Sequence, residues 1–421
     1  MTHILDELHW RGLVAESTDE GALREALAAG PVTYYVGFDP TAPSLHVGHL
    51  VQVLTAGRLQ RAGHRPLALV GGATGLIGDP KAAGERTLNE PDVVAAWVDS
   101  IRRQIEPFLS FEGPNAATVV NNLDWTASLS AIELLRDIGK HFSVNRMLDR
   151  EAVAARLASS GISYTEFSYV LLQSNDFLEL HRRFGCSLQL GGSDQWGNIT
   201  AGCELIRRVE GHRTHALATP LLTNADGTKF GKTEGNAVWL DPELTSPYAF
   251  FQFWLNAEDA SVADYLRVFT FRSREEIDEL EKATAERPAA REAQRVLARD
   301  VTTLVHGEDA TRRAEAAGHA LFGRGDLHDL DERTFRDAVA ELPRGQVRHA
   351  DLADVPRLLA AAGVVPSLSA GRRAVAEGGA YVNNVKVSGV DSTVEETELL
   401  HGRWLLVRRG RRTLGAVEVL P

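Results

Sequence analysis

The chain has 421 residues and a formal net charge of -12. That length allows two or three domains with a sizeable core. The acidic balance excludes a surface that coats polyanions indiscriminately, so a nucleic-acid partner would have to meet a local basic patch. The two cysteines, Cys186 and Cys203, fit no zinc spacing and exclude a disulfide scaffold, which points to a reducing, cytoplasmic setting.

The opening MTHILDELHWRG lacks the basic region and apolar run of a leader peptide and reads as an amphipathic helix, with Ile4, Leu5 and Leu8 on one side. No apolar stretch approaches the ~20 residues that span a bilayer, so no membrane partner is expected. From residue 32 to about 222, short apolar runs alternate with longer helical segments. Strands are predicted over 33–38, 66–70, 117–121 and 187–190, and helices over 46–62, 90–108, 131–138 and 196–209. That alternation predicts an α/β, Rossmann-like domain with a mostly parallel sheet covered on both faces. Ligands bind such sheets beyond the carboxyl ends of the strands. Residues 37–41, 71–79 and 191–195 fall there.

In YYVGFDPTAPSLHVGH, residues 34–49, a buried strand runs through a turn into a helix. His46 and His49 lie three apart and share a face at the helix start. A helix N-terminus attracts anions through its free N–H groups and dipole, and imidazoles there can donate to a phosphate. Gly48 leaves room for a flat base. Alone, the pattern favours a capped surface helix with incidental histidines, and it lacks the Glu of a zinc-protease motif. The glycines of GGATGLIGDP do not form GxGxxG, and no acidic residue follows at the proper distance, so a dehydrogenase is a poor reading.

Tyr169, Gln173 and Asp176, in YVLLQSNDF, share one helix face at i, i+4 and i+7, as a solvated edge or the wall of a polar pocket. GGSDQWGNITAG places Asp194 and Gln195 at a strand-to-helix turn, where a plain N-cap is the bland alternative. Residues 229–233, KFGKT, follow the turn-forming NADGT and put Lys229 and Lys232 on a glycine-bearing loop. Such cations suit a phosphate whose charge grows as pyrophosphate leaves.

From about 247 to 323 the chain becomes charged, alanine-rich and helically periodic, with Pro288 separating two helices. Residues 323–345 lack a clear period and read as a linker. Beyond about 347 come two short helices, a hairpin turning at Asn383-Asn384 and a last hairpin turning at 409–411. This end carries Arg372, Arg373, Lys386, Arg403, Arg408, Arg409, Arg411 and Arg412, a basic density that contrasts with the acidic whole.

HVGH resembles the "HIGH" signature of class I aminoacyl-tRNA synthetases, and KFGKT resembles their "KMSKS" loop. Over essentially its whole length the chain is similar to the bacterial tyrosyl-tRNA synthetase family. The resemblance implies a catalytic domain at 1–225, a loop and connector at 226–247, an α-helical anticodon-side domain at 248–323, a linker at 324–346 and a small α+β RNA-binding domain at 347–421, similar to a small-subunit ribosomal protein.

The same resemblance implies site residues. Tyr35 and Asp176 would read a phenol hydroxyl, with Asp79, Tyr169 and Gln173 at the ammonium and Gln195 near the carboxylate of L-tyrosine. Gly37, Asp39, Gly48, His49 and Asp194 would surround the adenosine of ATP. Thr41 and His46 would stabilise the pyrophosphate side, joined by Lys229, Lys232 and Thr233. Arg372, Arg373 and Lys386 would meet tRNA(Tyr). Mg2+ would accompany ATP, with no tightly bound cofactor and no metal held by the protein, and the family's homodimeric state is expected. One loop departs from the pattern: DPKAAGERT stands where relatives commonly read DPSGKS before ERT, with Lys81 and Arg86 as candidate phosphate contacts. Val36 and Gln52 replace polar ribose contacts of some relatives. Three rivals remain: an RNA-binding protein without catalysis, a ligase for another amino acid such as tryptophan, and a duplicate tyrosyl enzyme specialised for inhibitor resistance.

Overall fold

The computed structural model describes residues 3–80, 88–223, 230–233 and 236–420. The chain divides into two compact units, Met1–Asp241 with Asp259–Ala293, and Pro242–Glu258 with Gln294–Pro421.

The first unit is built on a six-stranded sheet. Its strands are β1 (Glu16–Ser17), β2 (Thr33–Phe38), β3 (Arg65–Val70), β4 (Thr118–Asn121), β5 (Leu188–Gly192) and β6 (His215–Thr219), in the order β1-β6-β5-β2-β3-β4. All neighbours run parallel except β1, which pairs antiparallel with β6. From β2 the chain steps outward through β3 and β4, then crosses to the other side for β5 and β6. The order therefore reverses between β2 and β5, and their carboxyl ends open the crevice where α/β sheets take ligands. The apolar runs are covered on both faces, which is why they read as continuous rather than alternating.

Helix Val47–Arg61 follows β2 and is buried nearly all round, through Leu50, Val53, Leu54 and Leu59. Helix Tyr164–Phe184 turns Phe177, Leu178 and Leu180 into one core cluster with Tyr35, Leu67 and Leu69 of the sheet. The opening helix, Ile4–Trp10, buries Leu5 and Leu8. Where one helix was expected over 131–138, an α turn at Ala131–Glu133 passes into a π turn at Leu134–Ile138. Apolar spacing over eight residues cannot tell these turns apart. Strand β6, HALAT, gave no signal because alanine is a poor strand former.

In the second unit, strands β9 (Arg344–Arg348), β10 (Ala380–Val382), β11 (Val385–Lys386), β12 (Trp404–Arg409) and β13 (Thr413–Leu420) form a sheet in the order β11-β10-β12-β13-β9. (The pair β7, Lys232–Thr233, and β8, Asn236–Ala237, belongs to the first unit.) One core lies among this sheet and helices Val355–Ala361 and Leu368–Ala376. A second holds Leu406, Leu414 and Ala416 with Tyr248, Leu321 and Phe335 of the helices. Asn383 and Asn384 both take left-handed backbone, φ 46° and 67°, as a two-residue hairpin turn requires. The expected linker is ordered structure, with helix Glu332–Ala340 and β9 inside it. A nine-residue helix with Phe335, Ala338 and Val339 inward is too short to show a period. Helices Val262–Phe269 and Arg274–Glu286, expected within one helical domain, fall in the first unit.

Candidate active site

At the crevice floor, β2 presents Tyr35. The side chain is buried, its ring lies 5.2 Å from that of Phe177, and its hydroxyl has no hydrogen-bond partner. Such an orphan costs about 1–3 kcal/mol unless a ligand completes it. Asp176 reaches the same place from helix Tyr164–Phe184. Trp125 Nε1 donates to one carboxylate oxygen at 2.8 Å and Asn122 Nδ2 to the other at 2.9 Å. Burial lifts the Asp176 carboxyl to about 7 against the pull of those two bonds. Burial, and then the nearby Asp176 charge, pushes the Tyr35 hydroxyl well above its ordinary value.

The rest of the Tyr169 stripe also faces inward. Tyr169 Oη donates to Asp39 Oδ2 at 2.5 Å, and Gln173 Oε1 is buried without a partner. The stripe is therefore the wall of a polar pocket rather than a solvated edge. Asn122 Nδ2 also donates to Thr74 Oγ1 at 2.9 Å, and Thr74 Oγ1 donates to Asp39 Oδ1 at 2.6 Å. One network thus joins Asp176 to Tyr169 across the crevice. It explains the glycines of GGATG: a side chain at Gly71 would strike the Asp39 carboxylate, and one at Gly72 the Asn121 amide. Asp79 accepts from Gln195 Nε2 at 2.8 Å and Asn198 Nδ2 at 3.1 Å. Gln195 makes no capping bond to helix Trp196–Val209, so it serves Asp79 instead.

Toward the rim, His46 is the N-cap of helix Val47–Arg61. Its Nδ1 accepts from the Gly48 N–H, and the His46 N–H in turn donates to His49 Nδ1, both at 3.1 Å. With both Nδ1 atoms accepting, each ring carries its proton on Nε2 and offers it as a donor. The rings stack at 3.9 Å. Burial, and then His46, lowers His49 to about 3, so His49 is a neutral donor. A Cβ at Gly48 would press on the His46 ring. Gly37, Thr41 and Asp194 are exposed at the carboxyl edge.

The stem of the KFGKT loop docks onto this helix start. Val47 N–H donates to Val238 O at 2.9 Å, Leu240 N–H to Leu45 O at 2.8 Å and Val238 N–H to Gly231 O at 2.8 Å. Gly231, at φ 78°, lies so close to Val47 that a Cβ would collide with it. Lys232 and Thr233 form β7, paired with β8. Lys229, Lys81 and Arg86 lie outside the described residues. The two motifs, distant in sequence, meet at one helix N-terminus.

In the second unit, Arg372 and Arg373 are exposed on helix Leu368–Ala376 and Lys386 is exposed on β11. Lys386 Nζ lies over Gly378, just past that helix. Arg408 stacks on Tyr381, 4.6 Å from the ring centre. Sequence reasoning missed Asn122, Trp125 and Thr74. The paired asparagines at the end of β4, Asn121 and Asn122 on the sheet's carboxyl edge, were the available signal for Asn122; Trp125 offered none.

A parallel sheet with its crevice at the β2/β5 reversal, a histidine-capped helix there and a basic loop docked on that helix define a class. The family model described as "tRNA synthetases class I (W and Y)" matches residues 27–323, and the chain belongs to that family. A second model, "Tyrosine--tRNA ligase SYY-like C-terminal domain", matches residues 334–416. The tyrosine–tRNA ligase of Kineococcus radiotolerans is 67% identical over 419 residues, covering 100% of this chain and 99% of that protein. That of Streptomyces coelicolor is 66% identical over 421 residues, with 100% and 99% covered. The structure of a C-terminally truncated Aspergillus nidulans mitochondrial tyrosyl-tRNA synthetase superposes with TM-score 0.70 at 29% identity, covering 76% of this chain and 95% of that one.

Proposed function

We infer that the chain activates L-tyrosine with ATP, forming tyrosyl-adenylate and pyrophosphate, and then transfers the tyrosyl group to the 3′ end of tRNA(Tyr). The observation that carries this reading is the buried, unpartnered Tyr35 hydroxyl beside the buried Asp176 carboxyl. A phenol supplies the partner that Tyr35 lacks and can donate a further bond to Asp176, which already accepts from Asn122 and Trp125. An aromatic ring without a hydroxyl leaves the buried Tyr35 hydroxyl unsatisfied and offers Asp176 no donor. Asp79, Tyr169 and Gln173 then hold the ammonium, and Gln195 lies near the carboxylate.

The carboxylate attacks the α-phosphate in line and pyrophosphate leaves. No side chain acts as a covalent nucleophile. Positioning and charge stabilisation do the work. The Nε2 donors of His46 and His49 meet the phosphates at the helix N-terminus, with Thr41, Lys229, Lys232 and Thr233 on the pyrophosphate side. Gly37, Asp39, Gly48 and Asp194 border the adenosine. Mg2+ is read as part of the substrate, carried on the ATP phosphates. The terminal ribose hydroxyl of the tRNA then attacks the acyl carbon, the acyl–phosphate bond breaks and AMP leaves.

On the RNA side, Arg372, Arg373 and Lys386 contact backbone phosphates, so tRNA affinity falls with salt. The helical stretch 248–323 is assigned to the anticodon side. A homodimer is favoured by an exposed apolar face along residues 132–164, and a cytoplasmic location by the family's task in translation. Among the described residues, no helix is long and apolar enough to cross a membrane.

Tyrosine-dependent exchange of pyrophosphate into ATP, with phenylalanine and tryptophan in parallel and no tRNA, tests the reading. Exchange with tyrosine alone is expected. Exchange with tryptophan instead would keep the adenylation site and overturn the Tyr35/Asp176 assignment.

A further inference from the structure

Helix Val47–Arg61 carries His49 in its first turn and Arg58 in its last. Arg58 is buried, and among the described residues it forms no ion pair. Its Nη2 donates to the carbonyls of Val268 at 2.8 Å and Thr270 at 2.6 Å, while its Nε and Nη1 are buried without partners. Arg11, also buried, donates to the carbonyls of Arg267 at 2.7 Å, Thr270 at 3.1 Å and Arg272 at 2.8 Å. Two guanidiniums thus converge on the carbonyl end of helix Val262–Phe269.

A helix C-terminus favours cations, but a glycine cap would close it without burying two charges. What distinguishes this helix is its cargo. Phe230, the second residue of KFGKT, is buried with its ring 4.9 Å from that of Tyr265 and 5.5 Å from that of Phe269. The next residue, Gly231, abuts Val47 at the other end of the Arg58 helix. The catalytic helix therefore holds its histidines at one end and, through Arg58, the support of the loop stem at the other.

We propose that helix Val262–Phe269 is the seat of the KFGKT segment, and that Phe230, Arg58 and Arg11 are positioning residues for adenylate formation. Phe230 anchors the strand that bears Lys232, and the two arginines fix the seat relative to His46 and His49. The proposal rests on the reading of Lys232 as a pyrophosphate-side group.

The test is single-turnover adenylate formation in the full-length protein, with Phe230→Ala, Arg58→Met, the double variant and Phe230→Tyr, beside tyrosine dissociation constants and melting curves. Phe230→Ala and Arg58→Met should each slow adenylate formation roughly 10- to 100-fold and raise the KM for ATP. Tyrosine affinity should stay within about twofold of the parent. The double variant should be no slower than the slower single, because both release the same segment, and Phe230→Tyr should restore most of the rate. If Arg58→Met does not fold, Phe230→Ala and Phe230→Tyr decide alone. Unchanged rates, a parallel loss of tyrosine affinity, or effects that multiply in the double variant would overturn the seat. An unmodified protein that shows no tyrosine-dependent exchange would instead overturn the functional reading beneath it.

Discussion

At the scale of single residues, the proposed specificity rests on the buried, unpartnered Tyr35 hydroxyl and on the Asp176 carboxylate, which can accept one bond more than Asn122 and Trp125 give it. Replacing Tyr35 by Phe removes one of them and leaves the Asp176 acceptor in place. Discrimination between tyrosine and phenylalanine should then fall by an amount equivalent to ~1–3 kcal/mol, read as the ratio of their kcat/KM values in pyrophosphate exchange. A ratio that does not move would remove Tyr35 from the specificity site. Asp176 adds a pH dependence. Burial raises its carboxyl to about 7 from an ordinary value of 3.8. The folded state therefore holds a proton that the unfolded chain releases, and this group lowers stability as pH rises from about 4 to about 7. On the proposed reading tyrosine binding has the opposite slope, because the phenol would donate to the carboxylate form. Below about 7, affinity should weaken by about tenfold per pH unit until another group titrates. Equilibrium binding from acid to neutral pH checks this, and the slope should vanish in Asp176→Asn.

At the scale of elements, the histidine-capped helix does two things that one substitution can separate. His46 caps the helix by accepting from the Gly48 N–H at Nδ1, which leaves its ring proton on Nε2 for the proposed phosphate contact. Asparagine is a favoured N-cap but cannot reach as far. His46→Asn should therefore keep the melting temperature near that of the parent while slowing adenylate formation roughly 10²- to 10³-fold. Tyrosine affinity should be unaffected. A variant that melts early and loses tyrosine binding would mean that the ring is structural. This element was legible from sequence because HVGH couples a spacing to a chemistry. The parallel strands other than β6 were legible because burial on both faces leaves unbroken apolar runs. What could not be read was contact between distant segments: Trp125 and Asn122 on Asp176, Thr74 bridging to Asp39, Arg58 on the end of Val262–Phe269. Each is a polar side chain whose partner is set by the tertiary fold, and no local period records it.

At the scale of the whole molecule, the segment between β4 and helix Tyr164–Phe184 is apolar on two sides. Inward, Leu134, Phe142 and Met147 pack with Val170 and Leu171. Outward, Ile132, Leu135, Val144, Leu148, Leu157 and Tyr164 stand exposed, with Ile132 at 72% and Tyr164 at 68%. Scattered apolar residues on a surface need no explanation, but six exposed within 33 consecutive positions of a chain this acidic support the homodimer proposed above. A second copy of the chain is the occupant that fits. A two-fold interface sets the same patch against itself, and an apolar patch complements itself where a charged one would repel. The unmodified protein should therefore scatter light as a particle of about 92 kDa, twice the 45.9 kDa chain. Charges placed on both ends of the face, Ile132→Asp with Tyr164→Asp, should shift it toward the single-chain mass at micromolar concentration. The same variant should keep its melting transition, since neither side chain is buried within the chain. A parent protein that runs as a single chain at high concentration would refute the interface, and an unshifted variant would locate it elsewhere. Because each copy carries its own Tyr35–Asp176 pocket, loss of pairing need not empty the pocket of tyrosine. Tyrosine binding by the separated chains would show that the pocket is complete within one copy, and its loss would show that pairing holds the Tyr164–Phe184 helix, with its tyrosine-facing stripe, in register.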